Sequence, residues 1–596
     1  MTIEVKLPRL RAFFACAVAA CLCASWLGVY FEAAWGLTAS FLCCLLLFSC
    51  AITLHPTKKE VLACGISGCV YGVMHTLGYS YDTINSYGLI FKSARSLTDG
   101  ALCMLAQALV SASVCLILVR LMDHLRKTCV RMEASDEKER TQLFIISAVL
   151  IFLGSVPYLM LYAPGLNIFD THDQLLQFFG YPSYIGDGSA LSDHHPVFLS
   201  VVYAAFMKLG LLLGDANIGQ LIYSLLSMAA LSAAWAYALC TLYDLGLRKN
   251  CCLVIAAFVA LYPVTALYAF NMCKDVSAAP FVLIYVSQML RIHRSEGQVM
   301  KNRRFMLAVA ANALLLMLTR KPSMYALVFA SVFLLIRYRS VRRYMAAALL
   351  GAIALFCVGY SALLLPALGV IPGETREMLS IPFQMTARYL NTYPDDVTEA
   401  ELEAVSRVLD LESIKNYDPR LSDPVKDKSN LELGNGNLSA YLGAFVSMGM
   451  RHPGVYLDAW LNMIYGYFYP SDSNTIVCLT LNSPDQGGME LRQKESLSAL
   501  RLKLHDFIYY RLRRLPGAGM LFYVHTISWT FLLLLVYGVL RGGMGEAAPW
   551  MFFFGTLGIC LLSPKSGEIR YLMPIFYALP IMLGAMILPG KGAAKK

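Results

Sequence analysis

The sequence predicts an all-α polytopic membrane protein, with about 13–15 transmembrane helices and a mainly helical extracytoplasmic loop domain. Composition is the first reason. Of the 596 residues, 58% are hydrophobic and only 15% are charged, and the mean hydropathy is +0.57. The second reason is that many apolar runs reach the roughly 17–25 residues needed to cross about 30 Å of hydrocarbon. A soluble chain of this length could not bury so much apolar surface.

The apolar segments divide the chain into four parts. Residues 1–141 are an N-terminal module of about four spans with a basic loop, 142–371 a transmembrane core, 372–518 the loop domain and 519–596 the C-terminal helices. The apolar run near the N-terminus is too long for a signal peptide and predicts a retained span. Candidate spans are 12–30, 36–55, 60–79, 101–122, 142–162, 196–213, 218–243, 251–270, 276–292, 304–319, 323–337, 344–371, 519–540, 547–563 and 571–589.

The basic residues predict the orientation in the cell membrane, because short cytoplasmic loops carry an excess of Lys and Arg. The N-terminus is then cytoplasmic, and the loops 163–195 and 372–518 are extracytoplasmic. The loops expected in the cytoplasm are 58–59, 120–140, 248–249, 291–304, 337–343 and 595–596.

One stretch of the chain conflicts with this alternation. Three apolar segments separate Asp193 from Lys274, although both residues are expected outside, which requires an even number of crossings. We therefore expect residues 218–243 to form two short helices or a re-entrant hairpin.

The polar loop 163–195 is the best indication of function. Ionisable groups crowded at a membrane surface are costly unless they bind something or perform chemistry. Apolar segments flank this polar loop on both sides. The loop holds four acidic residues and three histidines, which are Asp170, Asp173, Asp187, Asp193, His172, His194 and His195.

Asp170 and Asp173 are candidate catalytic carboxylates. In a short surface helix, residues three apart share a face, so both carboxylates can point at one substrate. A capping role competes on equal terms, with Asp170 as the N-cap and Asp173 in the first turn.

The run Asp193-His194-His195-Pro196 stands where the chain returns to the membrane. Pro196 suits the first turn of a helix, and one polar residue before it can serve as a cap. Capping leaves the remaining polar residues unexplained. Metal ligation, acceptor positioning and phosphate binding stay open, and no spacing here is diagnostic of a metal.

Cations on the outer face indicate an anionic partner, because they run against the positive-inside tendency. A lipid-linked phosphate or pyrophosphate is the natural anion at this depth. Each cation alone is as well explained as a snorkelling side chain, and Asp275 as a helix N-cap. The residues are Lys274-Asp275, Arg320-Lys321, Arg388 and Arg570-Tyr571.

A span, an external loop that opens with an acidic motif, a His-Pro re-entry and a second Asp ahead of a later span together resemble the GT-C superfamily of polytopic glycosyltransferases, which includes protein O-mannosyltransferases and aminoarabinose transferases. More narrowly, seven segments resemble an uncharacterised bacterial membrane family near that superfamily. The similarity runs from about residue 145 to 590, and the first four spans look like an added module. The segments are YAPGLNIFDTHDQ, LSDHHPVF, NMCKDVSAAPF, TRKPSMY, IPFQMTARY, YDPRLSDPVK and SPKSGEIRYLMP.

The resemblance implies an inverting transfer of a sugar from a polyprenyl-phosphate donor to an extracytoplasmic acceptor, a cell-envelope glycan, lipid or protein. A carboxylate serves as the general base. Asp170 or Asp173 corresponds to the catalytic acid of the first external loop, Asp275 to the second acidic residue, and Arg570 to the arginine that meets the lipid phosphate. Thr171 and His172 separate the two acids, unlike the tight acidic pair of many relatives, so the identity of the base and the use of a divalent cation (Mg²⁺ or Mn²⁺) stay open. Expected substrate-binding residues are His172, Gln174, Asp193, His194, His195, Lys274, Arg320, Lys321, Arg388, Arg570 and Tyr571.

Other classes compete with the transferase. A lipid-linked sugar transporter or flippase needs similar cations, but it favours inverted repeats and broken helices at mid-membrane, and no repeat pair is visible. A non-catalytic glycolipid-binding protein would carry much the same residues. A scaffold that binds a partner through 372–518 leaves the polar loop 163–195 unexplained. The net charge of +10 is spread over short loops and does not indicate a nucleic-acid partner.

Overall fold

The chain is mainly helical in a computed structural model that describes residues 7–31, 36–131, 135–373, 375–430, 436–472, 474, 476–515 and 517–588. Within those residues, eight helices are long and apolar enough to cross a membrane. The all-α, multi-pass membrane class is therefore confirmed. The eight helices are Lys58–Ile84, Ala94–Cys129, Glu137–Tyr162, Ala216–Asp244, Lys274–Arg294, Arg339–Ala367, Val524–Gly542 and Ile569–Met586.

The N-terminal module packs through small residues. Gly68 and Gly72 of its third helix lie against its fifth helix, and a Cβ atom at Gly68 would lie 2.4 Å from the Ala108 carbonyl oxygen. Such close backbone contact is typical of helices that associate inside a membrane. The helices are α1 (Leu7–Phe31), α2 (Gly36–Thr53), α3 (Lys58–Ile84), α4 (Gly88–Phe91) and α5 (Ala94–Cys129).

The transmembrane core combines long helices with two very short strands. The strands are β1 (Leu166–Asn167) and β2 (Asn271–Met272), which pair in parallel. The helices are α6 (Glu137–Tyr162), α7 (Phe169–Phe178), α8 (Val197–Leu212), α9 (Ala216–Asp244), α10 (Lys249–Leu261), α11 (Pro263–Tyr268), α12 (Lys274–Ser277), α13 (Ala279–Arg294), α14 (Arg303–Thr319), α15 (Ser323–Arg337), α16 (Arg342–Ala354) and α17 (Leu365–Ala367), with a π-helical stretch, Leu355–Leu364, between the last two.

The loop domain is mainly helical, as expected from the sequence, and it has a hydrophobic core of its own that includes Phe383, Tyr389 and Tyr441. Its helices are α18 (Ser380–Thr392), α19 (Glu399–Ser406), α20 (Leu411–Ile414), α21 (Asp423–Lys426), α22 (Asn437–Arg451), α23 (Pro453–Ile464) and α24 (Ser498–Asp506). The C-terminal helices are α25 (Val524–Gly542), α26 (Met551–Cys560) and α27 (Ile569–Met586).

The bundle has two chemically different ends. At the basic end, Asp244 closes α9 and pairs with Arg140 at 3.1 Å and with Arg291 at 3.7 Å. Arg541 of α25 pairs there with Glu60 of α3 at 2.6 Å. The opposite end carries the polar loop 163–195 and the loop domain, and we call it the loop-domain end.

Helix α8 does not run from one end to the other, although its apolar sequence predicts a span. Just before it, the Pro196 carbonyl accepts a hydrogen bond from Gln174 of α7. Just after it, Asn217 donates to the Glu490 carbonyl of the loop domain at 3.2 Å and accepts from the Arg492 amide at 2.8 Å. Both ends of α8 therefore lie at the loop-domain end.

This placement removes the conflict in the alternation. The expectation that 218–243 forms two short helices or a hairpin is wrong, because α9 is one continuous helix of 29 residues. The extra apolar segment is α8, whose 16 residues would measure about 24 Å. It packs against α7 and α9 instead.

Candidate active site

The two short strands determine where the site forms. β1 and β2 pair in register, with Asn167 opposite Met272, and a single residue separates the end of each strand from the helix that follows. Asp170 in the first turn of α7 and Lys274 at the start of α12 therefore lie side by side. Thr171 ties the two helix starts together, because its hydroxyl donates to the Met272 carbonyl at 2.5 Å.

The Asp170 carboxylate pairs with two cations that are far from it in the sequence. Its Oδ2 atom lies 2.8 Å from the Lys274 Nζ atom and 3.1 Å from an Arg570 guanidinium nitrogen in the first turn of α27. The side chains are 19% exposed for Asp170 and 24% exposed for both Lys274 and Arg570. Three segments far apart in sequence thus meet at one carboxylate oxygen.

A more deeply buried ion pair lies beside this junction. The Arg320 Nε atom donates to the Asp275 carboxylate at 2.7 Å, and the exposed fractions of the two side chains are only 1% and 4%. Arg320 also donates to the Tyr571 carbonyl at 3.1 Å. Because Tyr571 follows Arg570, this pair fixes the start of α27 next to α12.

The Asp193-His194-His195 run forms the third side of the site. Lys321 lies 2.8 Å from the Asp193 carboxylate and also donates to the Asp193 carbonyl. The two imidazole rings pack edge to face, with 4.7 Å between their centroids. His195 is buried and feels the charges of Lys274, Asp170 and Arg570.

The electrostatics of the site favour an ionised Asp170 and two neutral histidines. Burial alone would raise the pKa of Asp170, but the charges of Lys274 and Arg570 lower that pKa well below its usual range. Burial and the Lys274 charge lower the pKa of His194 to about 4. The pKa of His195 also lies well below its usual range, again because of burial and Lys274.

Comparison with known proteins identifies the family. A model of a family of unknown function, DUF6020, matches residues 185–595, which is more than half of the chain. The chain belongs to this family. The matched region contains Lys274, Asp275, Arg320 and Arg570, whereas Asp170 precedes it. Neither the curated proteins nor the solved structures gave a match.

Three predicted residues of α7 face away from the junction. Asp173 is buried, and its carboxylate accepts from the Tyr184 amide at 3.4 Å. His172 lies beside it, with 3.8 Å between ring nitrogen and carboxylate oxygen. Gln174 donates to Ser200 of α8 at 3.0 Å. Of the two candidate bases, the structure therefore brings Asp170 into the cluster and leaves Asp173 outside it.

Arg388 also lies apart from the other predicted residues. Its guanidinium pairs with the Asp458 carboxylate and donates to the Asn85 carbonyl at 2.8 Å. Asp458 accepts a further hydrogen bond from Tyr81 of α3 at 2.9 Å. Arg388 thus connects the loop domain to the N-terminal module.

Two charged residues near the site were not among the predicted ones. Glu568 caps α27 and lies 3.6 Å from the Arg570 guanidinium. Lys426 is buried, pairs with Glu377 and Asp423 at 2.9 Å each, and contributes to the lowered pKa of His194. Both residues belong to segments that carry the family resemblance, SPKSGEIRYLMP and YDPRLSDPVK. Membership of these segments is the sequence feature from which the two residues could have been predicted.

The cluster does not fit the Mg²⁺ or Mn²⁺ site that the sequence leaves open. Asp170, Asp193 and Asp275 each pair with a lysine or arginine. Across the described ranges, no group of three or more His, Cys, Asp or Glu side chains is arranged to hold a metal ion. The donor set instead resembles an anion site whose cations are held by carboxylates.

Proposed function

We propose that the protein is a membrane glycosyltransferase that moves a sugar from a polyprenyl-phosphate donor to an extracytoplasmic acceptor. The observation that carries this proposal is the Asp170 carboxylate shared between Lys274 and Arg570. One carboxylate and two cations at the membrane surface are the groups needed to deprotonate an acceptor and to stabilise a departing phosphate.

The distribution of basic residues gives the orientation of the bundle in the membrane. The basic end of the bundle is cytoplasmic by the positive-inside tendency, so the loop-domain end is extracytoplasmic. With α8 outside, the remaining apolar segments give about 14 crossings and put both termini in the cytoplasm. Lipid-linked sugars presented at the outer leaflet would then reach Asp170, Lys274 and Arg570 directly.

The reaction is a displacement at the anomeric carbon. The acceptor oxygen or nitrogen forms a bond to that carbon from the face opposite the phosphate, so the configuration inverts. The bond from the carbon to the phosphate oxygen breaks, and the phosphate leaves with the electron pair. The acceptor proton passes to the Asp170 carboxylate. Lys274 and Arg570 stabilise the negative charge that develops on the phosphate.

The pairing of Asp170 suggests how donor binding prepares the base. Lys274 and Arg570 are both bound to Asp170, and the pKa of that carboxylate lies well below its usual range, so it is a weak base while it is paired. A donor phosphate would compete for the same two cations. Once they turn to the phosphate, Asp170 loses its partners and its pKa rises. Base strength is thereby coupled to occupancy of the donor site.

The experiment measures polyprenyl phosphate, which every such transfer releases whatever the sugar. Protein in nanodiscs is incubated with sugar-loaded polyprenyl phosphates carrying a radiolabelled lipid and with envelope extract as acceptor. The wild-type protein should release labelled polyprenyl phosphate, and Asp170→Asn should not. Asp173→Asn and the exposed Asp187→Asn are matched controls and should keep most activity. An active Asp170→Asn protein, or release that depends on Asp173 instead, would overturn the assignment.

A further inference from the structure

A cavity lies at the loop-domain end beside the two short strands: Thr480 of its wall donates to the Asn167 carbonyl of β1 at 2.9 Å, and the Cys478 carbonyl accepts from Asn271 of β2 at 3.3 Å. It encloses about 670 Å³ between residues 472, 474 and 477–480 on one side and residues 505–514 and 523 on the other. Its walls include Asp472, Cys478, His505, Tyr509, Arg513 and Tyr523. The proposed transfer uses none of these residues.

Arg513 is the unusual residue of this cavity. Its exposed fraction is 9%, and its terminal nitrogens donate to the carbonyls of Ser471, Asp472 and Asn474 at 3.1–3.4 Å. The guanidinium carbon lies 4.3 Å from the ring centroid of Tyr523. Backbone carbonyls and an aromatic face therefore hold the group in one orientation.

This guanidinium lacks a full counter-charge among the residues that the structure describes. No carboxylate there lies within salt-bridge distance of it, and its Nε atom has no hydrogen-bond partner. The carboxylate of Asp472 accepts from the Tyr523 hydroxyl at 3.1 Å. Arg514 adds a second cation to the lining. A buried cation in this condition is costly unless an anion completes it.

An apolar groove continues from the same segment into the membrane region. It encloses about 390 Å³ between α10, α25 and α27, and its lining includes Phe258, Tyr262, Leu534 and Phe576. Residues close together in sequence line the two spaces, because Tyr523 lines the cavity while Leu521 and Thr526 line the groove. A cavity with cations and an apolar groove lined by one short segment is an arrangement that suits an anionic amphiphile.

We propose that this is a lipid site, in which a phosphate headgroup binds Arg513 and an acyl or prenyl chain lies in the groove. The shared chemistry is an oxyanion bound to a buried guanidinium, and a lipid headgroup is the source that the adjoining groove favours. The cavity is lined by none of Asp170, Lys274 and Arg570, and the proposal does not depend on the transferase proposal.

The test is lipid binding by the full-length protein, delipidated in detergent and titrated by native mass spectrometry. The probes are dioleoyl phosphatidic acid, dioleoylglycerol with the same chains but no phosphate, and inorganic phosphate with no chain. Arg513→Gln should weaken phosphatidic acid binding about tenfold or more, because it removes charge-assisted hydrogen bonds to the phosphate. The exposed Arg511→Gln removes the same charge nearby and should change binding less than about twofold.

Two further variants keep the test decisive if Arg513→Gln unfolds. Arg513→Lys keeps the charge but loses the planar guanidinium with its rigidly placed donors, so this variant should bind phosphatidic acid with intermediate affinity. Thr530→Trp fills the groove without touching Arg513, and it should weaken phosphatidic acid binding while leaving phosphate binding unchanged. The effect of Arg513→Gln should also persist in a Lys274→Gln background, which separates this site from the proposed donor site.

Three results would overturn the proposal. Equal losses from Arg511→Gln and Arg513→Gln would mean that general surface charge attracts the lipid. If dioleoylglycerol bound as tightly as phosphatidic acid, the phosphate would contribute nothing to binding, and the site would not recognise an oxyanion. Inorganic phosphate binding at Arg513 as tightly as the lipid would make a free anion the ligand and leave the groove without a role.

Discussion

Replacing Asp170 with asparagine should increase the affinity for a prenyl phosphate while it abolishes transfer. The carboxylate is the group that pairs with Lys274 and Arg570 in the structure. Removing its charge removes the competitor for both cations. A phosphate then gains the two contacts without first breaking the two that exist.

The geometry sets the size of the effect. Asp170 makes two charge-assisted contacts, at 2.8 and 3.1 Å, and each such hydrogen bond contributes about 1.5–3 kcal/mol. The side chains are 19–24% exposed, so water recovers part of that energy. A net gain of about 1.4–2.8 kcal/mol remains, which corresponds to roughly 10- to 100-fold tighter binding.

The assay is isothermal titration of the detergent-purified protein with farnesyl phosphate, a short prenyl phosphate that cannot be turned over. Lys274→Gln is the opposing variant and should weaken binding, because it removes a cation instead of its competitor. Asp187→Asn is the matched control, since that carboxylate is exposed and bonds only to Ser189 among its described hydrogen-bond partners. Its affinity should equal that of the wild-type protein.

Weaker or unchanged binding by Asp170→Asn would refute the competition argument. It would mean that the carboxylate orients the two cations for the phosphate, so that losing it costs more than the competition did. Unchanged binding by Lys274→Gln would refute the location of the phosphate itself.

Three other perturbations test the surroundings of the site. Arg320→Met leaves the buried Asp275 without its partner and should destabilise the protein by about 3–5 kcal/mol in thermal unfolding, and Arg320→Met combined with Asp275→Leu should recover part of the loss. Acidification from pH 6.5 towards 4 should lower the melting temperature, because unfolded His194 binds a proton that the folded residue, with its pKa of about 4, does not; His194→Gln should reduce that loss. Arg388→Gln should increase proteolysis of the loop domain without changing prenyl phosphate affinity, because Arg388 pairs with Asp458 outside the site.

Each of these tests has a clear contrary result. If the double variant at 320 and 275 is no more stable than Arg320→Met, the lost energy does not come from the unpaired carboxylate. If His194→Gln leaves the acid sensitivity unchanged, the proton is taken up elsewhere. A weaker prenyl phosphate affinity in Arg388→Gln would return that residue to the binding site.

The sequence predicts the class of fold well because bilayer thickness imposes a length on apolar segments. The sequence also identifies most of the residues that come together in the candidate site, because cations and acids of the predicted outer loops stand out against their apolar surroundings. The expected helical character of the loop domain is confirmed by helices such as α19 and α23.

The sequence does not show which cation pairs with which carboxylate. Asp170 and Arg570 are 400 residues apart, and only the bundle decides that Arg570 joins Asp170 while Arg320 joins Asp275. Arg388 has the same local features as the other cations, yet its helix directs it to Asp458. The strands β1 and β2 have two residues each, too few for a periodic signal, although they position both halves of the site.

Helix α8 changes how topology experiments on this protein should be interpreted. A hydropathy count that scores it as a crossing reverses the compartment assigned to every later loop, including the one that carries Arg570. A reporter fused after Gly214 should give the same signal as one fused after Gly186, and a reporter fused after Gly246 should give the opposite signal. One short apolar helix thus determines whether the two halves of the proposed site are assigned to the same side of the membrane.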